Sequence, residues 1–210
     1  MINYCHVQNM MVSTMLYCKN ISFIMPRFFL LALMLFAFQP LAMAAGSSIT
    51  VKSADMLEVE DNYEVNALFD LSLAKEVEEA LNKGVSLTFL IEFQLTSPRK
   101  YWFDSVAASE HSKVTLSYHA LSKQYLINRD NQQQSFVTLA EAKAELGIIS
   151  DWPVIKRSAL NKDASYKAVL LIRLDKSKLL KPLQVDAISS EVWNISSLPY
   201  SWSPTINRAP

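Results

Sequence analysis

The chain of 210 residues balances 20 Lys and Arg against 20 Asp and Glu and holds only 3 glycines. The even charge excludes the basic surface of a nucleic-acid-binding domain. Gly46, Gly84 and Gly147 stand too far apart to build a phosphate-cradling loop, a dinucleotide fingerprint or a Gly-x-Ser-x-Gly elbow, each of which needs closely spaced glycines.

Residues 1–44 differ in kind from the rest, because they hold Lys19 and Arg27 but no acid, and both cysteines, Cys5 and Cys18. Met25-Pro26-Arg27 is a short basic start, Phe28 to Phe38 an unbroken apolar run, and Ala42-Met43-Ala44 offers small residues at cleavage spacing, the pattern of a secretory signal peptide. The run is shorter than the roughly 20 residues that a membrane-crossing helix needs. The expected organisation is an N-terminal extension and signal over 1–44 (signal proper 25–44), one β-rich domain over 45–204 and a frayed tail over 205–210. Met1 and Met25 both stand open as starts, and an uncleaved N-terminal membrane anchor is the alternative. With both cysteines in the leader, the exported chain must hold itself together by its core instead of by disulfides.

In chain order, Ile49, Val51, Leu57 and Val59 predict a strand with a bulge near 53–56. Glu60-Asp61-Asn62 predicts a turn, and Tyr63, Val65, Ala67, Phe69 and Leu71 alternate as the hairpin partner. Ser72 is read as the N-cap of a helix with Leu73, Val77, Ala80 and Leu81 on one face, stopped by Gly84. Val85 to Thr96 alternates strictly and ends at Ser97-Pro98. Arg99 to Ser112 has no clear period. Lys113 to Leu121 and Gln124 to Arg129 are read as a hairpin turning at Ser122-Lys123.

Thr138-Leu139-Ala140-Glu141 is a capping box opening a short helix that Gly147 closes. Trp152-Pro153 reads as an extended linker. Tyr166 to Leu174 is a strand whose second face, Val169 and Leu171, predicts burial on both sides. Leu183 to Ile188 and Trp193 to Trp202 are read as further strands, the last an edge limited by Pro199. Seven to nine antiparallel strands with two short helices predict a mainly β fold, an antiparallel β-sandwich or strongly curved sheet, with an open α+β sheet as the alternative.

The chemistry available outside the leader is carried by His111, His119 and carboxylates. On one strand the two histidines would lie about 26 Å apart, too far to share a metal, so no metal and no cofactor is expected. Ser117, His119 and Asp104 lack an elbow or oxyanion signature, which leaves a hydrolase using His119 as an alternative and a non-catalytic binding module as the main reading. Arg99-Lys100-Tyr101-Trp102-Phe103-Asp104 places three rings beside two cations, as recognition surfaces do. The candidate partner- or ligand-binding residues are therefore Arg99, Tyr101, Trp102, Asp104 and His119. Trp193, Tyr200 and Trp202 form a second aromatic group, read as core. A lipid- or ligand-carrying β module is a further alternative.

Leu95-Thr96-Ser97-Pro98-Arg99-Lys100-Tyr101-Trp102-Phe103-Asp104, Leu116 to Tyr125, Gln134-Ser135-Phe136, Lys181 to Val185 and Trp193 to Ser197 together resemble the bacterial family known as domain of unknown function 4390, some of whose members are labelled proline-rich signal peptide protein. The resemblance implies an exported, periplasmic envelope protein of a Gram-negative bacterium with no catalytic residues to carry over. It also implies a link to a membrane sensor histidine kinase as partner.

Overall fold

The alternating segments pair as strands in the computed structural model, which describes residues 46–98, 104–161 and 164–206. Among them are nine strands: β1 (Ser48–Val59), β2 (Asn62–Ser72), β3 (Leu87–Ser97), β4 (Ser105–His119), β5 (Gln124–Arg129), β6 (Gln132–Phe136), β7 (Ile148–Lys156), β8 (Lys167–Leu174) and β9 (Tyr200–Trp202). Three helices accompany them: α1 (Lys75–Asn82), α2 (Leu139–Leu146) and α3 (Lys181–Ser189). One sheet has three strands in the order β1-β2-β7, the other six in the order β6-β5-β4-β3-β8-β9, and every pairing is antiparallel. The protein is thus mainly β, with two sheets sharing one core. No helix among the described residues is long and apolar enough to cross a membrane.

Burial explains the register. Leu87, Phe89, Ile91, Phe93 and Leu95 of β3, Val114 and Leu116 of β4 and Ala168, Leu170, Ile172 and Leu174 of β8 turn one face inward, opposite Tyr63, Val65, Ala67, Phe69 and Leu71 of β2. Each large side chain so buried contributes about 1.5–3 kcal/mol, and a slip of one residue would turn a whole set to solvent. The bulge expected in β1 falls between Val51 and Ser53. Val77 and Leu81 of α1 and Ala142 and Leu146 of α2 join the same core. The two helices are tied to each other by Lys143–Glu78, at 3.1 Å, and α1 to β5 by Tyr125 Oη donating to Asn82 Oδ1 at 2.8 Å.

Helix ends follow local chemistry where the strands allow it. Thr138 Oγ1 accepts the Glu141 N–H while the Glu141 carboxylate accepts the Thr138 N–H, the reciprocal cap read from the sequence. Gly84, at φ 94°, ends α1 as expected, with its N–H on the Leu81 carbonyl and that of Val85 on Ala80. Ser72 does not cap α1: it stays in β2, paired with Ser48, and the helix starts at Lys75 with Ala74 before it. Ser47 Oγ accepts the Ala74 N–H instead, at 2.9 Å.

Four further expectations give way. The described part of the aperiodic stretch is strand from Ser105, since β4 runs 15 residues from there, with Ser105 to Lys113 half-buried or exposed on both faces so that no alternation is imposed; residues 99–103 lie outside the described residues. Trp152-Pro153 is no linker but part of β7, paired with β2 through register shifts that accommodate Pro153 at a sheet edge. Leu183 to Ile188 is helical: Pro182 occupies the first turn, and Ala187, four residues after half-buried Leu183, is buried while Val185 and Ile188 face solvent. Trp193 to Trp202 is mostly irregular, with Trp193 ending a 3-10 turn and only Tyr200–Trp202 in β9. Ile206 packs against the core.

Candidate functional site

The β3–β4 hairpin builds the most featured surface. β4 pairs with β3 along Ser105 to Leu116, but β5 reaches only Val114, so Ser105 to Lys113 continue with one backbone edge unpaired among the described residues. A bulge between Leu95 and Thr96 leaves Ala107 unpaired and bends this half of the strand. Its edge borders an open cleft of about 590 Å³ shared with Pro153 to Lys156 of β7 and floored by the small side chains Ala107 and Ala108.

The solvent face of the same hairpin carries the polar chemistry. Glu92 of β3 stands opposite His111 of β4 on one side and Leu171 of β8 on the other. Arg173 reaches diagonally to it with both ends of its fork, Nε to Oε2 at 3.1 Å and Nη2 to Oε1 at 2.9 Å. These bonds, more than any other influence, hold the Glu92 carboxyl below its ordinary range; burial opposes them, and the charges of Arg173 and His111 add to the lowering. Beside the pair lies a concavity of about 330 Å³ lined by Gln94, Ser109, His111, Val169, Leu171 and Pro199. Val169 and Leu171, expected to be buried, are half-buried here as its apolar floor. An aliphatic floor with a few fixed polar groups can hold a ligand or a partner's side chain without doing chemistry on it.

The sequence-derived candidates are distributed unevenly about this surface. Arg99, Tyr101 and Trp102 lie outside the described residues. Asp104 is exposed immediately before Ser105, which pairs with Ser97 at the end of the hairpin. His119 stands at the other end of β4, roughly 50 Å away along the strand at ~3.3 Å per residue, so Asp104 and His119 do not share a concavity. The His119 ring closes the turn to β5: Ser122 donates its N–H to Nδ1 at 3.3 Å, which makes Nδ1 an acceptor and sets the Ser122 hydroxyl, 2.9 Å away, as a donor to it. Glu92 and Arg173 are not among the sequence-derived candidates, and His111 enters the sequence reading only as half of a histidine pair whose spacing rules out a shared metal. Strict alternation in β3 and β8 does place Glu92 and Arg173 on the polar face, but the pairing that joins them is long-range.

The second aromatic group is structural, as read. Trp193 is buried, and Trp202 and Tyr200 are half-buried, with rings 5.9 Å apart and Trp202 6.2 Å from Phe93. Two other polar features stand apart. Tyr63 donates to Glu58 at 3.4 Å, and Glu58 pairs with Arg157 at 2.8 Å; burial first, then the Glu58 charge, raises the Tyr63 hydroxyl above its usual value. Arg129 donates to the Leu146 carbonyl at the end of α2, at 3.4 Å, beside a polar cleft of about 270 Å³.

The strands define a two-sheet antiparallel β domain with an unpaired edge and a concavity beside its β3–β4 hairpin. Within that class the chain belongs to the family described as Domain of unknown function (DUF4390), which it matches over residues 46–203. No curated protein and no solved structure matches it.

Proposed function

We propose that this chain is an exported, non-catalytic interaction module of the Gram-negative envelope, receiving a protein partner on the outer half of the β3–β4 hairpin. The observation that carries the reading is the juxtaposition of an unpaired backbone edge on β4 and a groove lined by Glu92 of β3, His111 of β4 and Val169 and Leu171 of β8. The edge offers main-chain hydrogen bonds to an extended segment, and the groove offers apolar contact and fixed polar groups, the combination by which strand-adding domains bind. Arg99, Tyr101, Trp102 and Asp104 fall in sequence between these two strands and supply the residue types that anchor interfaces. Export to the periplasm rests on the leader over 25–44. The partner class we put first is a membrane sensor histidine kinase with an extracytoplasmic part, on the ground of the family resemblance.

Crosslinking in intact envelopes followed by purification tests the surface. One specific partner should be recovered with the native chain and lost with Arg99→Ala plus Trp102→Ala, and with Leu171→Asp, while the circular dichroism of each variant stays native. A partner list unchanged by both variants would remove the assignment. The leader is tested by intact mass after export, which should match a chain starting at Ala45; retention of residues 25–44 would mean an anchored protein.

A further inference from the structure

Besides the outer half of β4, assigned above to a partner, several stretches of strand have no neighbour on one side among the described residues, and all but one of these carry devices that keep edges from pairing. β1 is bent by its bulge and bears Lys52, Asp55 and Glu58. β7 contains Pro153 and Asp151, the latter at φ 54°. β9 is 3 residues long and lies between Pro199 and Pro204. β6, Gln132-Gln133-Gln134-Ser135-Phe136, has no proline, no charge and no bulge, and it pairs with β5 alone.

We propose that β6 pairs antiparallel with β6 of a second copy of this chain, joining two six-stranded sheets into one. The register decides which groups are free. Asp130 and Asn131, at φ 48° and 66°, form the two-residue turn of a tight hairpin, so Arg129 and Gln132 are its first hydrogen-bonded pair. Alternation makes Ile127–Gln134 and Tyr125–Phe136 hydrogen-bonded pairs as well, and turns the N–H and C=O of Gln133 and Ser135 away from β5. A two-fold axis at Gln134 sets Gln133 opposite Ser135 of the second copy, and the converse. All four residues point their backbone groups at the axis, which closes about four hydrogen bonds with none left over.

The side chains suit the same axis. A two-fold places Gln134 beside its own copy, where a charge would meet a like charge; the amide, donor and acceptor at once, meets its complement. A self-complementary register on a neutral strand is what favours a second copy over a foreign segment. Five residues a side is far fewer than the ~20–30 of a standard interface, so the dimer is expected to be weak, with a dissociation constant on the order of 0.1 mM.

The experiment uses the full chain with Cys5→Ser and Cys18→Ser. Directly opposed residues of a non-hydrogen-bonded pair have Cα atoms about 4.5 Å apart, within disulfide range. Gln134→Cys should therefore form a covalent dimer in air at least about 10-fold faster than Ser53→Cys on the β1 edge. Light scattering of the parent chain should show mass rising from monomer to dimer with concentration, and Ser135→Pro, which removes one outward N–H and no bond to β5, should hold it monomeric. Equal crosslinking rates, or a dimer that survives Ser135→Pro, would overturn the proposal. So would hydrogen-exchange protection of the Gln133 and Ser135 amides in a sample that scattering shows to be monomeric, which would assign the edge to a different strand. Should Ser135→Pro fail to fold, the crosslinking comparison decides alone.

Discussion

Phe93 of the six-stranded sheet meets Trp152 of the three-stranded sheet edge to face, with ring centres 6.2 Å apart and planes at 72°. Phe93 is fully buried, so truncation removes both its transfer energy and the contact that couples the sheets. Phe93→Ala is expected to cost about 3–5 kcal/mol. A double-mutant cycle with Trp152→Ala in urea should return a coupling of about 0.5–1.5 kcal/mol. Strict additivity would show that the sheets are held by area alone.

Gly147 ends α2 against the backbone of β2, where the Phe69 N–H donates to its carbonyl at 2.8 Å. Its φ of −67° suits any residue, so conformation is not the constraint. Space is: a Cβ there would collide with the Phe69 carbonyl oxygen, which is backbone and cannot swing aside. Gly147→Ala should destabilise by about 1–3 kcal/mol by overpacking, read as a lower urea midpoint with an unchanged slope. A gain in stability, as at an unconstrained helical glycine, would show that the contact yields.

The reciprocal cap at Thr138 makes a narrower prediction. Thr138→Ala should cost about 0.5–2 kcal/mol and Thr138→Ser much less, since the hydroxyl carries the bond. Equal losses for the two would assign the effect to the Thr methyl group instead.

What the sequence revealed tracks burial. β2, β3 and β8 have one face pressed into the core, so their apolar residues fall at every second position and the strands read directly. The outer half of β4 touches the core only through half-buried Ala108 and β6 only through half-buried Phe136, and Ser-Val-Ala-Ala-Ser and Gln-Gln-Gln-Ser carry no period to read. α3 misled for a physical reason: Leu183, Val185 and Ala187 alternate like a strand, but Pro182 fixes a helical first turn and the chain buries Ala187 and leaves Val185 exposed. The site lay beyond local reading because Glu92 and Arg173 are 81 residues apart and meet only when β3 and β8 pair.

The Glu92–Arg173 pair gives a pH prediction. The folded carboxyl titrates below its ordinary value, so the native state binds fewer protons than the unfolded one just below that value. The pair's contribution is therefore fully present above about pH 4.5 and is lost as pH falls through the lowered folded value. The side chains are 46 % and 37 % exposed, which screens the pair to about 0.2–1 kcal/mol. A Glu92→Gln and Arg173→Gln cycle should show that coupling at pH 7 and none at pH 2; a coupling that persists at pH 2 would mean the carboxylate charge is not its source.

The pairing of β2 with β7 has a consequence for how the chain reaches this state. Asn66 Oδ1 accepts the Asp151 N–H across 85 residues, and everything from α1 to α2 lies between. Closing so long a loop costs entropy before any contact rewards it, and antiparallel folds built this way form in milliseconds to seconds. Until Ile148 to Lys156 arrive, the hairpin of β1 and β2 holds the row of Tyr63, Val65, Ala67, Phe69 and Leu71 with one flank bare. The small sheet therefore cannot be whole until β7 has been made, and the order of synthesis, N-terminus first, guarantees an interval in which its most apolar strand waits unprotected for a partner.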